Sequence, residues 1–316
     1  MWQGLVDRLV YDAIGLPRAS ALGSALDFFI YDSAKILFLL VVIVFAVALI
    51  RSFFPPERTK RALEKVPEAL GNVLAALLGI VTPFCSCSAV PLFIGFIEAG
   101  IPLGVTFSFL VSSPMVNEVA LIMLWGLFGW KTALLYVASG VVVAILSGFA
   151  IGRLKLEGWV EDYVYKVRSG EAAGPALSLR DRLEYARAYV GEIEGKVWPY
   201  ALACIAVGAF MHGYAPADFL ARRAGPDAWY AVPLAVIVGV PLYSNAAGII
   251  PIVKVLMEKG MAMGTALAFM MAVTALSLPE AVILRKVLKP KLLATYFGIV
   301  AAGIMITGFV FNGIFR

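Results

Sequence analysis

Long apolar stretches dominate the chain, and short polar segments separate them. Continuous apolar runs cover 36–50, 132–152, 197–211 and 292–315. One spanning helix needs roughly 20 apolar residues, so such runs predict transmembrane helices. Strands of a membrane barrel would alternate apolar and polar residues over about ten positions, and these runs do not alternate. The pattern therefore predicts an all-α membrane protein built as a polytopic helical bundle.

The polar segments predict how this bundle is divided. The connection 51–65 is rich in Arg and Lys, which indicates a cytoplasmic location by the positive-inside rule. The longest polar segment mixes acidic and basic residues, which is typical of a solvated linker. The predicted parts are an N-terminal amphipathic or interfacial segment over 1–32, a first membrane repeat over 33–153, a cytoplasmic charged linker over 154–196, and a second membrane repeat over 197–316.

The two membrane segments share an ordered series of residues. Glu98 matches Glu258, and Phe109 matches Phe269 at the same offset. A shift of two residues extends the match, aligning 83–87 with 241–245 and 117–118 with 279–280. Several matches in one order predict an internal repeat.

Charge predicts how the two repeats are oriented. The loop 126–130 is nearly uncharged and aromatic, whereas the corresponding loop 285–291 is basic. By the positive-inside rule the two loops are expected on opposite sides of the membrane. The sequence therefore predicts two inverted repeats.

Polar residues also interrupt the apolar runs at matching places in the two repeats. The clearest interruption is Pro83-Phe-Cys-Ser-Cys-Ser88, and others lie at 112–118 and 274–280. Non-helical backbone at membrane depth is tolerated where protein or water satisfies it. Paired, Pro-interrupted segments in inverted repeats are typical of a transporter's substrate site. We therefore predict broken or re-entrant helices whose interruptions form the site.

Cys85 and Cys87 carry the most specific chemistry at these interruptions. Two soft sulfur ligands in an unwound segment suit a soft metal or metalloid. Glu118 and Glu280 are ionisable groups within apolar sequence, which makes them candidates for proton coupling. The polar residues expected to line the site with the cysteines are Ser86, Ser88, Ser113, Asn117 and Asn245.

Composition and missing motifs exclude several function classes. Apolar residues make up 61% of the chain and charged residues 15%. The net charge of +5 would suggest nucleic-acid binding in a soluble protein, but these basic residues cluster in short connections, which indicates membrane topology instead. The P-loop, zincin and nucleophile-elbow motifs are absent. We therefore expect a transporter without a cofactor, not an enzyme.

The segments Thr82-Pro-Phe-Cys-Ser-Cys-Ser-Ala-Val-Pro91 and Phe107-Ser-Phe-Leu-Val-Ser-Ser-Pro-Met-Val-Asn-Glu118 closely resemble the ArsP/YraQ-like predicted permease family. The resemblance implies a multi-pass permease of the prokaryotic plasma membrane with a small-molecule or ion substrate. Some members of that family are associated with efflux of trivalent organoarsenicals through cysteine thiols. Cys85 and Cys87 are the positions that would inherit this role. Candidate protein partners are a second copy of the chain or a soluble carrier.

The favoured hypothesis is gradient-driven efflux of a soft metalloid or metal species, with trivalent arsenic, methylated or not, as the preferred cargo. One alternative keeps the fold and changes the cargo to a reduced sulfur species. An alternative of another class is a membrane-embedded thiol oxidoreductase that cycles Cys85 and Cys87. A single residue between the two thiols makes their disulfide ring strained, which weakens this last hypothesis.

Overall fold

A computed structural model of the chain describes residues 2–17, 20–53, 67–81, 86–98, 100–116, 118–161, 178–214, 228–242 and 246–315. Every regular element in these ranges is a helix, and their one bridge between extended residues joins Val160 to Leu288. A bilayer offers the backbone no hydrogen bonds, so a chain this apolar must satisfy its backbone internally. The predicted all-α fold class is confirmed.

Thirteen α-helices follow one another in the described ranges. They are α1 Trp2–Asp7, α2 Ala21–Phe53, α3 Glu68–Val81, α4 Ser86–Glu98, α5 Leu103–Met115, α6 Glu118–Phe128, α7 Trp130–Arg153, α8 Leu179–Tyr214, α9 Ala231–Gly239, α10 Ala246–Glu258, α11 Met263–Ala275, α12 Leu278–Leu284 and α13 Pro290–Ile314. A π-helix Arg8–Ala13 follows α1, and a short 3-10 helix Glu157–Trp159 follows α7.

Several of these helices are suited to cross a membrane. Within the described ranges α7, α13 and the stretch Met263–Val282 are long and apolar enough to do so. Helix α5 and the stretch Ala120–Phe128 together make a fourth candidate, with a bend of 48° between them. Leu146 on α7 is 60% exposed and Ile306 on α13 is 64% exposed. Apolar outer faces of this kind are expected for helices that contact lipid.

Helix α8 joins the charged and the apolar parts of the middle of the chain. The Asp181 N–H donates to Ser178 Oγ at 3.3 Å, and the Asp181 carboxylate accepts from the Ser178 N–H at 3.0 Å and from Ser178 Oγ at 2.6 Å. This reciprocal capping box begins the helix, and the hydrogen bond from the Ser178 side chain lowers the pKa of Asp181. The predicted boundary at 196 falls inside α8, and the predicted boundary at 32 falls inside α2. These two long helices pack against each other.

The helix boundaries repeat along the chain. Helices α4, α5, α6 and α7 begin at 86, 103, 118 and 130, and α10, α11, α12 and α13 each begin 160 residues later. The turn before α5 and the turn before α11 also match, since Gly100 and Gly260 both have a positive φ, of 79° and 97°. Glycine adopts that conformation without steric cost. This order and spacing of the helices is the pattern that an internal repeat would give.

Packing repeats at the same offset. A Cβ added at Gly104 would lie 2.6 Å from the Gly148 carbonyl oxygen, and one added at Gly264 would meet the Gly308 carbonyl oxygen. Glycines at these positions allow α5 to approach α7, and α11 to approach α13, backbone to backbone. Every residue of α5 is buried, as are those of α11 from Gly264 onward. Helices α5 and α11 therefore form the centre of the described molecule.

The segment after α7 pairs with the segment before α13. The Glu161 N–H donates to the Val287 carbonyl at 2.8 Å, and the Lys289 N–H donates to the Trp159 carbonyl at 2.8 Å. Arg285 forms an ion pair with Glu161 at 3.1 Å. The end of α7 and the beginning of α13 therefore lie on the same side of the molecule, and α7 begins at the other side.

Candidate functional site

The cysteine segment lies where α3 ends and α4 begins. Cys85 is outside the described residues, and it directly precedes the first residue of α4. Ser86, Cys87 and Ser88 form the first turn of that helix, where the structure describes the backbone. The described parts of α3 and α4 have 14 and 13 residues, and the four residues 82–85 between them lie outside the described ranges. The interruption that the sequence predicts here therefore stays a prediction.

Helix α3 packs against α5 with both chains running in the same direction. Asn72 Oδ1 accepts a hydrogen bond from Ser108 Oγ at 3.1 Å, and one turn later the Ala76 carbonyl accepts one from Ser112 Oγ at 2.6 Å. A Cβ at Gly79 would lie 2.9 Å from the Ser112 Cβ. Because contacts advance together along the two helices, their last residues lie at the same level. The two interruptions of the first half therefore begin side by side.

The second half brings its own two interruptions together. The Leu278 N–H at the start of α12 donates to the Val240 carbonyl at 3.0 Å, just after α9 ends. Ser277 directly precedes α12 and is 1% exposed, and its Oγ has no hydrogen-bond partner among the described residues. Asn245, which lies outside those residues, directly precedes α10.

The helix starts define which interruption residues correspond. The sequence alignment needed a shift of two residues here, which paired Cys87 with Asn245. The constant spacing of 160 instead pairs Cys85 with Asn245, and Asn117 with Ser277. Each of these four residues directly precedes a helix. At this spacing Glu118 corresponds to Leu278, so Glu280 lies two residues after the position equivalent to Glu118.

Glu280 is the predicted coupling carboxyl whose surroundings are described. Its side chain is fully buried on α12, and Tyr296 of α13 donates a hydrogen bond to its Oε1 at 3.0 Å. The Tyr296 ring packs against the ring of Phe107 on α5, with 5.2 Å between the ring centroids. Through this tyrosine the carboxyl of the second half is linked to the central helix of the first half. For Glu118 the structure describes the backbone.

Tyr296 was not predicted from the sequence, although the repeat contains a signal for it. Tyr136 lies 160 residues earlier, is also fully buried, and donates to the Met115 carbonyl at 3.0 Å at the end of α5. Thr274 of α11 lies beside the Tyr136 hydroxyl. A tyrosine at one repeat position in two apolar helices would have indicated a shared role beside the interruptions.

The structure describes some of the remaining predicted site residues and not others. Ser113 is fully buried on α5, next to the hydrogen-bonded Ser112. Asn117 lies outside the described residues. Asn72 and Ser108, which are hydrogen-bonded to each other between α3 and α5, are fully buried polar residues that the sequence did not single out. Within the described part of the chain no group of three or more His, Cys, Asp or Glu could hold a metal ion. The predicted metal ligation by Cys85 and Cys87 therefore stays a prediction.

The two halves contact each other through the helices that flank the interruptions. Helix α4 packs against α12, α6 against α10, and α5 against α11. Equivalent positions also meet, since a Cβ at Gly303 would lie 3.0 Å from a methyl group of Val143, which stands 160 residues earlier. The described parts of the candidate site thus come from both halves of the chain.

Comparison with known proteins identifies relatives of this chain. The profile of the ArsP_1 family, described as "Predicted permease", matches residues 21–313. "UPF0718 protein MJ0584" of Methanocaldococcus jannaschii is 24% identical over 306 residues, covering 79% of this chain and 84% of that protein. "UPF0718 protein YraQ" of Escherichia coli is 26% identical over 243 residues, covering 75% of this chain and 66% of that protein.

A third relative matches a shorter part of the chain. A protein of Streptococcus mutans named "Putative two-component membrane permease complex subunit" is 27% identical over 106 residues, covering 33% of this chain and 35% of that protein. No solved structure matches the chain. The family profile covers nearly all of a chain whose described residues form a helical membrane fold, and the chain therefore belongs to the ArsP_1 family of predicted permeases.

Proposed function

We propose that this permease exports a soft metalloid or metal species, with trivalent arsenic or an organoarsenical as the preferred cargo. The observation that carries the proposal is the Cys85-Ser-Cys87 sequence, whose last two residues are the first described residues of α4. Thiolate sulfur binds soft ions in preference to magnesium or calcium. A helix N-terminus near these residues would favour a thiolate.

The other predicted residues have supporting roles in this proposal. Ser86, Ser88, Ser113, Asn117 and Asn245 line the path with neutral oxygen and nitrogen atoms. Glu118 and Glu280 couple movement of the cargo to protons, because a carboxyl inside a membrane can gain or lose a proton as its surroundings change. The burial of Glu280 and its hydrogen bond from Tyr296 support such a role. No nucleotide-binding motif is present in the sequence, so an ion gradient is the proposed driving force.

Movement of one half against the other would expose the site to each side in turn. We propose that the halves are inverted repeats, as in many transporters that work by alternating access. The constant 160-residue spacing and the opposite starting sides of α7 and α13 support this relation. The proposed location is the prokaryotic plasma membrane, which the chain crosses several times.

A protein partner is proposed beside the cargo and the lipid bilayer. The name of the Streptococcus mutans relative describes a subunit of a two-component membrane permease complex. That name supports a partner for this chain, either a second copy or a soluble carrier that delivers the cargo.

Transport into proteoliposomes tests the proposed cargo. Native protein, Cys85→Ser and Cys87→Ser are compared for movement of arsenite, methylarsenite, zinc and thiosulfate. We expect either substitution to reduce arsenical movement by at least about tenfold, because each removes one thiolate ligand. Cys204→Ser is the matched control and is expected to transport normally.

Two results would contradict the proposal. Equal arsenical movement in native protein and both variants would exclude the thiols as ligands. Movement of thiosulfate without movement of arsenicals would favour the reduced-sulfur alternative.

A further inference from the structure

A line of buried polar groups runs along the contact between α3 and α5. We call Asn72, Ser108 and Ser112 the α3–α5 polar seam. All three are fully buried. Two interhelical hydrogen bonds connect the helices here, from Ser108 to Asn72 and from Ser112 to the Ala76 carbonyl. The seam is therefore a polar contact inside an apolar helix bundle.

The amide group of Asn72 is only half satisfied. Its Oδ1 accepts from Ser108, whereas its Nδ2, which carries two donors, has no hydrogen-bond partner among the described residues. A buried donor without a partner destabilises the packed state. The missing hydrogen bond therefore favours any other state of the protein in which the Asn72 amide gains a partner.

The second half provides an internal comparison for the seam. The equivalent positions, 160 residues later, are Val232, Ala268 and Ala272. They make the same helix contacts: a Cβ at Gly308 would lie 2.7 Å from Val232 and 2.8 Å from Ala268, and a Cβ at Gly239 would lie 2.9 Å from Ala272. Apolar residues are therefore sufficient to pack this arrangement of three helices. Packing alone does not explain the polar groups of the first half.

The seam connects the surface to the helix interruptions. Glu68, the first residue of α3, is exposed, and it follows the basic segment 51–65. Asn72 lies one turn further along α3, and Ala76, whose carbonyl accepts from Ser112, lies one turn after that. The last described residue of α3, Val81, lies at the level of the end of α5. At 1.5 Å per residue the 14 residues of α3 span about 20 Å.

We infer that the α3–α5 polar seam is a hydrated access path, closed in this conformation, that leads water and protons from the Glu68 end to the interruptions of the first half. Hydroxyl and carboxamide groups both donate and accept hydrogen bonds, so they stabilise a file of water without trapping an ion. Separation of α3 from α5 would give the Asn72 amide its missing partner. The equivalent α9–α11 contact is apolar and stays dry. The inference rests on the proposed transport function.

Accessibility of introduced cysteines to a water-soluble reagent tests this inference. Single cysteines replace Ser108, Ser112, Ala268 or Ala272 in protein carrying Cys85→Ser, Cys87→Ser and Cys204→Ser. The proteins are reconstituted in lipid nanodiscs without cargo and treated with a charged methanethiosulfonate. We expect the cysteines at 108 and 112 to react at least about tenfold faster than those at 268 and 272, because only the seam opens to water. Equal rates in the two halves, slow or fast, would overturn the inference.

Native protein provides a second measurement in case a variant fails to fold. Deuterium exchange followed by mass spectrometry compares the peptides of α5 with those of α11, since both helices are buried. Faster exchange in α5 is expected, and equal or slower exchange in α5 would contradict the inference. Neither measurement uses cargo. A failure of arsenical transport would therefore contradict the proposed cargo and not the access path. Slow labelling of the α3–α5 polar seam would contradict the access path and not the proposed cargo.

Discussion

Tyr296 and Tyr136 are equivalent residues that donate to different acceptors. Tyr296 donates to the carboxyl of Glu280, whereas Tyr136 donates to the backbone carbonyl of Met115. Both hydroxyls are buried, so loss of either one removes a hydrogen bond that water does not replace. Only the bond of Tyr296 involves a group that can change its charge. The pair therefore separates a structural effect from an effect on coupling.

We predict that Tyr296→Phe slows proton-driven cargo transport by about tenfold, because a hydrogen bond to a charged group contributes about 1.5–3 kcal/mol. The ring contact with Phe107 remains in this variant, so the fold is expected to persist. The measurement is the initial rate of methylarsenite transport in proteoliposomes at a fixed pH gradient.

Tyr136→Phe is the matched control for this prediction. We expect Tyr136→Phe to lower thermal stability about as much as Tyr296→Phe does. Its transport rate should stay near that of native protein. Equal rates for Tyr296→Phe and Tyr136→Phe would show that the Glu280 hydrogen bond has no special role in coupling.

At the scale of helices, the close backbone contact between α5 and α7 leaves no room for a side chain. Gly148→Ala would place a Cβ against the Ser108 hydroxyl and the Gly104 carbonyl oxygen, and 2.9 Å from the Ser108 nitrogen. The carbonyl oxygen and the nitrogen are backbone atoms, so the helices themselves must move apart. We predict that the free energy of unfolding falls by about 1–3 kcal/mol, as it does when other cores are overpacked. Thermal unfolding in detergent measures this change.

Gly298→Ala is the control for the α5–α7 contact. Gly298 lies within α13, and nothing stands within 4 Å of a Cβ there. Alanine favours a helix more than glycine does, so this variant should be at least as stable as native protein. Equal destabilisation by Gly148→Ala and Gly298→Ala would contradict the role given to the contact.

Some elements could be predicted from the sequence, and others depend on tertiary contacts. Apolar length alone predicts α7 and α13, and Pro83 with its polar neighbours marks the interruption between α3 and α4. The continuity of α8 was harder to predict, because charge patterning separates 179–196 from the apolar residues that follow within one helix. The offset of 160 is present in the sequence at Glu98 and Phe109, but helix boundaries were needed to extend it through the predicted interruptions, where few side chains match.

The buried partners in the site were the least predictable part. Glu280 stands out in the sequence as a carboxyl inside an apolar run, but its bond to Tyr296 joins residues on separate helices. Asn72 and Ser108 are 36 residues apart in the chain, and neither interrupts a helix. Periodicity and composition report on local structure, so contacts of this kind have no local signal.

At the scale of the whole molecule, the relation between the two halves determines how the site could open. The pairing of 159–161 with 287–289 fixes the end of α7 beside the start of α13. An inverted repeat requires equivalent loops on opposite sides. Gly126, near the end of α6, and Lys286, in the turn after α12, are equivalent positions 160 residues apart, and both are exposed.

We predict that Gly126→Cys reacts with an impermeant thiol reagent from outside intact cells, whereas Lys286→Cys reacts only after the membrane is opened. Basic loops are retained in the cytoplasm, which gives the direction of this difference. Gly158→Cys is a control that should behave like Lys286→Cys, because their segments are paired. Reaction of the cysteines at 126 and 286 from the same side would exclude the inverted arrangement.

The central claim is that Cys85 and Cys87 together bind a soft cargo at the start of α4. X-ray absorption at the arsenic edge tests it directly on purified protein loaded with methylarsenite. We predict sulfur atoms in the first coordination shell of native protein, and their loss in the variant that carries both Cys85→Ser and Cys87→Ser. An arsenic shell without sulfur in native protein, or an unchanged sulfur shell in the double variant, would contradict the claim.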